Sequence, residues 1–305
     1  MLSTRSGAAK LSIISVSLLI ILKVIASILT GSISIRADAI HSAIDLTGVI
    51  IGYIGIRISG KPPDKQHTFG HGKAENIASG IIAGLIFIAA GTIVYEAIKR
   101  IITGGTVELV IVGIYVTAAA IVVNGITSWY TLRVARTTDS AALEATARDM
   151  FADVLSSCAV LVGLVLVKLT GLTILDPIVA LLVAILIIRT AYLTLKKSFQ
   201  DLIDVKLPDE EERLIKSSLT EHYAEIVNFH KLRTRKSGNQ RYIDLHVVMP
   251  KESRLEQAHQ LCDHLEQEIG SKLNSASITI HIEPCDGKCE QCPLTCPSRS
   301  PNTDT

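Results

Sequence analysis

Two short runs combine metal-binding side chains with helical spacing: His41-Ser-Ala-Ile-Asp45 and Asp149-Met-Phe-Ala-Asp153. Residues four apart lie on one face of a helix, so each pair projects in a single direction. Each run lies inside a long apolar stretch. An aspartate at the centre of a bilayer costs about 2.5–3.5 kcal/mol even on the lenient insertion scale, so three of them indicate a function. The pattern predicts an intramembrane divalent-cation site formed by His41, Asp45, Asp149 and Asp153.

This predicted ligand set also suggests a mechanism. One imidazole and three carboxylates suit borderline-to-hard ions such as zinc, manganese or iron. The same groups hold protons when no metal is bound, so metal and protons compete for the site. If the site loads and unloads on alternating sides, inward protons can drive outward metal. The alternative is structural: Asp149 would pair with Arg148, and His41 would be a buried polar side chain without a ligand role.

Composition places the chain among membrane proteins. Of its 305 residues 48% are hydrophobic, and the mean hydropathy is +0.40. These values are too apolar for an ordinary soluble protein. The net charge of +1 gives no support to nucleic-acid binding, and the first apolar run lacks the cleavage site of a secretory signal peptide.

The apolar residues are concentrated in the first two hundred positions. Six segments of about 20 residues are long enough to cross a bilayer as helices. They lie near residues 11–30, 35–57, 76–98, 107–129, 144–168 and 173–194. Most of the lysines and arginines lie on the side of the two termini, so the positive-inside rule predicts that both termini are cytoplasmic.

The remainder reads as a small soluble domain followed by a tail. Alternating apolar residues predict strands, and helical periodicity predicts helices. The predicted elements are helix 209–223, strand 225–236, strand 240–249, helix 252–271 and strand 277–283. The fold class is therefore a membrane α-helical protein of six transmembrane helices followed by a cytoplasmic α+β domain, αββαβ, with an open sheet. The predicted domains are 1–207, 208–284 and a disordered Cys-rich tail, 285–305.

A second group of ligand types lies in the loop between the second and third segments. Asp64, His67 and His71 are spaced so that a turn could close them around one zinc ion. Gly70 and Gly72 give this backbone the freedom to turn. The alternative is that the histidines are simply solvated.

The soluble domain carries scattered histidines, and the tail carries cysteines. His281 and Glu283 are two apart on one strand and so face the same way, while His246 is on another strand. The full set is His230, His246, His259, His264, His281 and Glu283. The tail set is Cys285, Cys289, Cys292 and Cys296, which could bind a soft metal or remain reduced thiols.

Several motifs together give a specific resemblance. They are Ala37-Asp-Ala-Ile-His-Ser-Ala-Ile-Asp45, His67-Thr-Phe-Gly-His-Gly-Lys-Ala-Glu75, Leu232-Arg-Thr-Arg-Lys-Ser-Gly238 after His230, and His281-Ile-Glu-Pro284. With the order of six segments and an αββαβ domain, residues 10–285 resemble the cation diffusion facilitator family, the proton-coupled exporters of divalent metals. A single His-x3-Asp pair would not be specific.

The resemblance implies the arrangement of the sites. It implies a homodimer with one transport site in each subunit, formed by His41, Asp45, Asp149 and Asp153. It implies a loop site and a cytoplasmic-domain site, and a charge pair at the dimer interface. The loop site is Asp64, His67 and His71; the domain site is His230, His246, His259, His281 and Glu283; the charge pair is Lys73 and Asp204.

The resemblance also implies the activity. The chain would be a cation/proton antiporter of the cell membrane rather than an enzyme, with divalent metal as substrate and regulatory ligand and no organic cofactor. Its partners would be protons, the lipid bilayer and a second copy, with no nucleic acid. Zinc is the expected metal, but many zinc-transporting members carry His where this chain has Asp149, and this departure leaves manganese and iron open. The alternative from another class is a membrane metal sensor or scaffold that binds metal without moving it. A metallohydrolase is not favoured, because the sequence offers no general base or substrate pocket.

Overall fold

The computed structural model describes residues 4–30, 33–103, 111–171, 174–222, 225–273 and 275–285. The chain divides into two compact units, Met1–Leu202 and Ile203–Thr305. The first unit is helical, and the second combines helices with a small sheet. Of the predicted tail cysteines, Cys285 is described and buried, while Cys289, Cys292 and Cys296 lie outside the described residues.

Six long helices make up the first unit. They are α1 (Arg5–Thr30), α2 (Ile33–Ser59), α3 (Lys73–Thr103), α4 (Ile111–Thr138), α5 (Ala141–Thr170) and α6 (Leu175–Leu202). Each predicted apolar segment overlaps one of them. The helices α3, α4 and α6 run past their predicted C-terminal ends because the added turns are polar and basic, which hydropathy does not detect. Among the described residues, three stretches are long and apolar enough to cross a membrane: Arg5–Ala26, Lys73–Thr103 and Pro177–Leu202.

Glycines on α2 allow neighbouring helices to approach it closely. A Cβ atom at Gly52 would lie 2.6 Å from Oγ1 of Thr146 on α5. A Cβ atom at Gly55 would overlap the Cβ of Ala78 on α3. Small residues at such crossings let helix backbones pack tightly in membranes, where hydrophobic driving force between helices is absent. The helix α2 is thereby held against both α3 and α5.

Polar bonds join the ends of these helices. The carboxylate of Glu75, fully buried at the start of α3, accepts hydrogen bonds from Arg5 Nη1 (3.0 Å), Ser59 Oγ (3.2 Å) and Ser140 Oγ. These partners belong to α1, to α2 and to the turn before α5. A buried carboxylate needs such partners, because an unpaired charge away from water is costly. One side chain therefore ties four parts of the helical unit together.

The second unit contains the remaining elements. They are α7 (Asp209–Glu221), β1 (Asn228–Ser237), β2 (Gln240–Met249), α8 (Leu255–Lys272) and β3 (Ala276–Pro284). The predicted order αββαβ is confirmed. The strands lie in the order β1-β2-β3, with β1 and β2 antiparallel and β2 and β3 parallel. The first strand begins three residues later than predicted, because the backbone N–H groups of Glu225 and Ile226 bond back to the carbonyl of His222 in a turn.

The two faces of this sheet differ. On β2, Ile243, Leu245 and Val247 are buried and pack with Leu219 of α7 and Leu265 of α8 in one core. Successive residues of a strand point to opposite faces, so the intervening side chains point away from the helices. Tyr242, Asp244 and His246 of β2 are therefore presented on the open face of the sheet.

The glycines of the helical unit provide a test of its packing. We expect Gly55→Ala to lower the melting temperature of the detergent-purified chain, since the new methyl overlaps Ala78 and overpacking costs about 1–3 kcal/mol. Gly84→Ala, on α3, is the matched control, because a Cβ there meets no atom within 4 Å. It should be neutral or stabilising by up to about 1 kcal/mol. Equal melting temperatures for the two variants would contradict the close approach of α2 and α3.

Candidate metal centres

The helices α2 and α5 carry the predicted intramembrane ligands. Asp45 lies on α2, and Asp149 and Asp153 lie on α5, which packs against α2. The contact is close at Gly48, where a Cβ atom would lie 3.3 Å from Oδ2 of Asp149. Asp149 is buried, whereas Asp45 and Asp153 are half-buried. The backbone of His41 belongs to α2, but its side chain lies outside the described residues.

The charges around Asp149 favour a ligand role. Its carboxylate is close enough to Asp45 for the two negative charges to repel. Arg148 does not neutralise it, because Arg148 Nη2 donates instead to Oε1 of Glu144 at 2.7 Å. Among the residues that the structure describes, Asp149 has neither a hydrogen-bond nor an ion-pair partner. Two neighbouring acidic groups that influence each other in this way are suited to binding a cation.

The loop residues between α2 and α3 form a compact cluster. Oδ1 of Asp64 accepts the backbone N–H groups of Gln66 (2.9 Å) and His67 (2.6 Å), and it lies 3.2 Å from Nδ1 of His67. Its Oδ2 is 3.4 Å from Nε2 of His71. A left-handed turn at Gly70, with φ of +79°, brings the chain back. The hydrogen bonds, led by the one from the His67 backbone, lower the pKa of Asp64, so its carboxylate is ionised and able to bind a cation.

The loop histidines lie beside each other. Their ring centroids are 4.4 Å apart. The three ligand atoms of Asp64, His67 and His71 lie within 4.8 Å of one another, close enough for one ion. Nδ1 of His71 is buried and has no hydrogen-bond partner in the described part of the chain. A buried ring nitrogen without a partner is unusual and is consistent with a ligand role.

The register of the sheet brings three predicted histidines together. His230 is opposite His246, and His246 is opposite His281 in the parallel pair. Their rings are 5.4 Å and 4.6 Å apart on the open face of the sheet. Glu283 points the same way as His281, two residues along the strand. The irregularity in β1 follows His230, where Lys231 has φ of +53°.

Glu283 is the centre of this sheet-face cluster. Its Oε1 lies 2.6 Å from Nδ1 of His246, and its Oε2 lies 3.0 Å from Nε2 of His230. His281 is farther away, with 3.9 Å from Nε2 to Oε1. The hydrogen bond from His246 is the largest cause that lowers the pKa of Glu283. Two imidazoles around an ionised carboxylate form a ligand set suited to zinc.

Three other predicted residues lie apart from these clusters. His259 on α8 is exposed, with its Nδ1 3.8 Å from Asp263, and it does not join the described sheet-face cluster within one subunit. Lys73 Nζ donates to the carbonyl of Leu202 at 3.0 Å. Asp204 lies 3.5 Å from Nη1 of Arg235. Each member of the predicted charge pair therefore also has a contact inside its own unit.

A fourth cluster of ligand-type side chains was not predicted from the sequence. His222, at the end of α7, and His264 and Glu268, on α8, place their ligand atoms within 4.8 Å of one another. The i, i+4 spacing of His264 and Glu268 was the local signal available. His222 carries no such signal, because it is 46 residues from Glu268 in sequence. The α7–α8 cluster, as we call it, depends on how the helices pack.

Two family models match the chain. "Cation efflux transmembrane domain" matches residues 9–203, and "Cation efflux protein, cytoplasmic domain" matches residues 207–285. The "Cation-efflux pump FieF" of Cronobacter sakazakii is 34% identical over 282 residues, 92% of this chain and 93% of its own length. The "Uncharacterized transporter sll1263" of Synechocystis is 32% identical over 281 residues, 92% and 91% of the two lengths. The solved structure "Mode of Action of a Putative Zinc Transporter CzrB" is 34% identical, covers 26% of this chain and 98% of its own, and has a TM-score of 0.25.

The sheet-face cluster makes a prediction about metal binding. A ligand that binds only the folded state stabilises it, by about 2.7 kcal/mol at one hundred times its Kd. We expect Glu283→Gln to reduce the zinc-dependent rise in melting temperature of the full chain, because the amide lacks the charge that binds metal. The matched control is Glu256→Gln, at an exposed position in the first turn of α8. An unchanged zinc response in Glu283→Gln would contradict a metal site on the sheet face.

Proposed function

The chain belongs to the cation diffusion facilitator family, and from this premise we propose that it exports a divalent metal, zinc foremost, in exchange for protons. Its membership makes it a membrane cation efflux transporter. The exchange with protons, the identity of the metal and the residues of the transport site are our proposal. Manganese and iron are the other candidate ions, because three carboxylates suit harder ions than thiolates do.

The observation that carries this proposal is the approach of Asp45 and Asp149 between α2 and α5. The two carboxyl groups are near enough to influence each other electrostatically in an apolar helical unit, and the guanidinium of Arg148 is turned to Glu144. Such a pair has a low energy only when a cation or a proton is shared between the two carboxylates. His41 and Asp153, one helical turn along from Asp45 and Asp149, would complete a tetrahedral set.

The same ligands account for coupling. A carboxylate or imidazole can bind either a metal or a proton, so loading the metal expels protons and its release allows them to return. When the site opens alternately to each side, the proton gradient can therefore drive metal outward. In this mechanism the metal is the substrate, and the protein supplies ligands, proton acceptors and a path.

The remaining parts would serve regulation and assembly. We propose that all six long helices span the membrane, that both termini are cytoplasmic and that the chain functions as a homodimer. The domains would be 1–207 for transport and 208–284 for metal-dependent dimerisation. The loop and sheet-face clusters would bind metal on the cytoplasmic side, with His259 reaching a site only through assembly. The second candidate is a sensor that binds metal without moving it. The sheet-face cluster supports it, because metal binding there does not by itself require transport.

Flux measurements test the transport site. We expect Asp45→Asn and Asp149→Asn to abolish zinc and manganese flux in proteoliposomes, since each loses a ligand and a proton acceptor together. Glu96→Gln is the matched control, because Glu96 is exposed on α3 and distant in sequence from the proposed ligands. Retention of near-normal flux by both aspartate variants would reject the transport site. Metal binding without flux in the wild type would favour the sensor.

The proposed interface charge pair has its own test. If Lys73 and Asp204 meet between subunits, removing one partner costs more than losing an exposed surface pair. We expect Lys73→Ala and Asp204→Ala each to weaken the dimer and depress transport, with the double variant no worse than either single one. Strictly additive effects in this double-mutant cycle would mean that the two side chains do not interact.

A further inference from the structure

The α7–α8 cluster has the geometry of a further metal site. We propose that His222, His264 and Glu268 bind one zinc-like divalent cation that joins the end of α7 to α8. No role in transport is needed for this site, and it shares no residue with the loop or sheet-face cluster. The two imidazole nitrogens and one carboxylate oxygen are a ligand set that zinc takes in proteins, with water in the fourth position.

The distances are close to those of a bound state. Oε2 of Glu268 lies 2.9 Å from Nε2 of His222 and 3.9 Å from Nε2 of His264. In a tetrahedral zinc site with bonds near 2.1 Å, ligand atoms are about 3.4 Å apart. The two distances from Oε2 of Glu268 lie on either side of that value. The imidazole rings already meet edge to face, with centroids 5.2 Å apart. Small side-chain rotations are therefore sufficient to form the site.

Glu225 orients the least exposed of the three ligands. The side chain of His222 is 16% exposed, and its Nδ1 lies 3.2 Å from Oε1 of Glu225. A carboxylate on one ring nitrogen holds the tautomer in which the other nitrogen is free to bind metal. Histidine ligands of zinc almost always have such an outer partner. The cluster thus contains both ligands and the residue that positions one of them.

The local charges allow a cation to enter. Nε2 of His222 and Oε2 of Glu268 share a hydrogen bond of 2.9 Å, so a metal would take the place of the proton between these two groups. Lys272 occupies the other carboxylate oxygen, Oε1, at 2.6 Å and leaves Oε2 to face the imidazoles. His264 is exposed and, with Glu225, lines an open cleft in the surface. An ion from solvent can therefore reach the site.

Zinc counting on the full chain tests the proposal. The parent is the detergent-purified chain carrying His67→Ala and His246→Ala, which disable the loop and sheet-face clusters. Bound zinc per subunit is measured by equilibrium dialysis and elemental analysis. We expect His264→Ala and Glu268→Gln each to bind one zinc fewer than the parent, and Glu256→Gln on the same helix to equal it. An unchanged zinc count in His264→Ala, or an equal loss in Glu256→Gln, would overturn the proposal.

Two further measurements separate ligation from folding. Because His264 is exposed, His264→Ala should melt at the parent's temperature without zinc and lose only the zinc-dependent rise. Glu225→Gln should keep the same number of bound zinc ions but bind the α7–α8 ion about tenfold more weakly, as expected for a positioning residue. Loss of the zinc-free fold in His264→Ala, or an unaltered affinity in Glu225→Gln, would contradict the arrangement proposed here.

Discussion

A carboxylate buried among apolar helices must be balanced by a partner, and this constraint organises the helical unit. Glu75 has such partners within the protein: one guanidinium and two hydroxyls, which come from three other parts of the unit. Asp149 is also buried, yet its charged neighbour is another aspartate, Asp45. The first arrangement stabilises a structure, whereas the second brings two acidic groups together, as a cation-binding site requires. The same physical rule thus separates a structural acid from one suited to a mobile cation.

The packing of α5 against α2 determines the position of Asp149. Gly48 and Gly52 on α2 present no side chain to α5, so Asp149 and Thr146 of α5 lie against the backbone of α2. A larger residue at Gly48 would press on the carboxylate of Asp149 itself. The glycines therefore affect the candidate site by setting the distance between the acidic side chains of α2 and α5. The electrostatic repulsion between two charges falls as that distance grows. The packing of α2 against α5 therefore also sets the geometry of the candidate ligands.

Local sequence patterns predicted the helices and strands of the fold. Apolar length located all six helices, and alternation located all three strands. The ends differed where polar turns continue a helix, as after Ile98 on α3, or where a turn precedes β1 at His222 and Glu225. Strand parity put His281 and Glu283 on one side, but the register that brings His230 and His246 beside them depends on pairing between strands. His222 was missed for the same reason, because its ligand partners belong to another helix.

The sheet-face cluster and the α7–α8 cluster of the second unit share a feature that bears on the metal binding proposed for them. In each, one glutamate lies between histidines and a lysine: Lys231 is 3.7 Å from Glu283, and Lys272 is 2.6 Å from Glu268. The hydrogen bond from Lys272, followed by that from His222, lowers the pKa of Glu268 to about 2. The carboxylate is thus kept ionised and in place without metal. At the proposed sites a metal ion would share the carboxylate with a lysine, whose positive charge would repel the ion and lower the affinity. A site of lowered affinity is better suited to a reversible response than to a permanently occupied structural role.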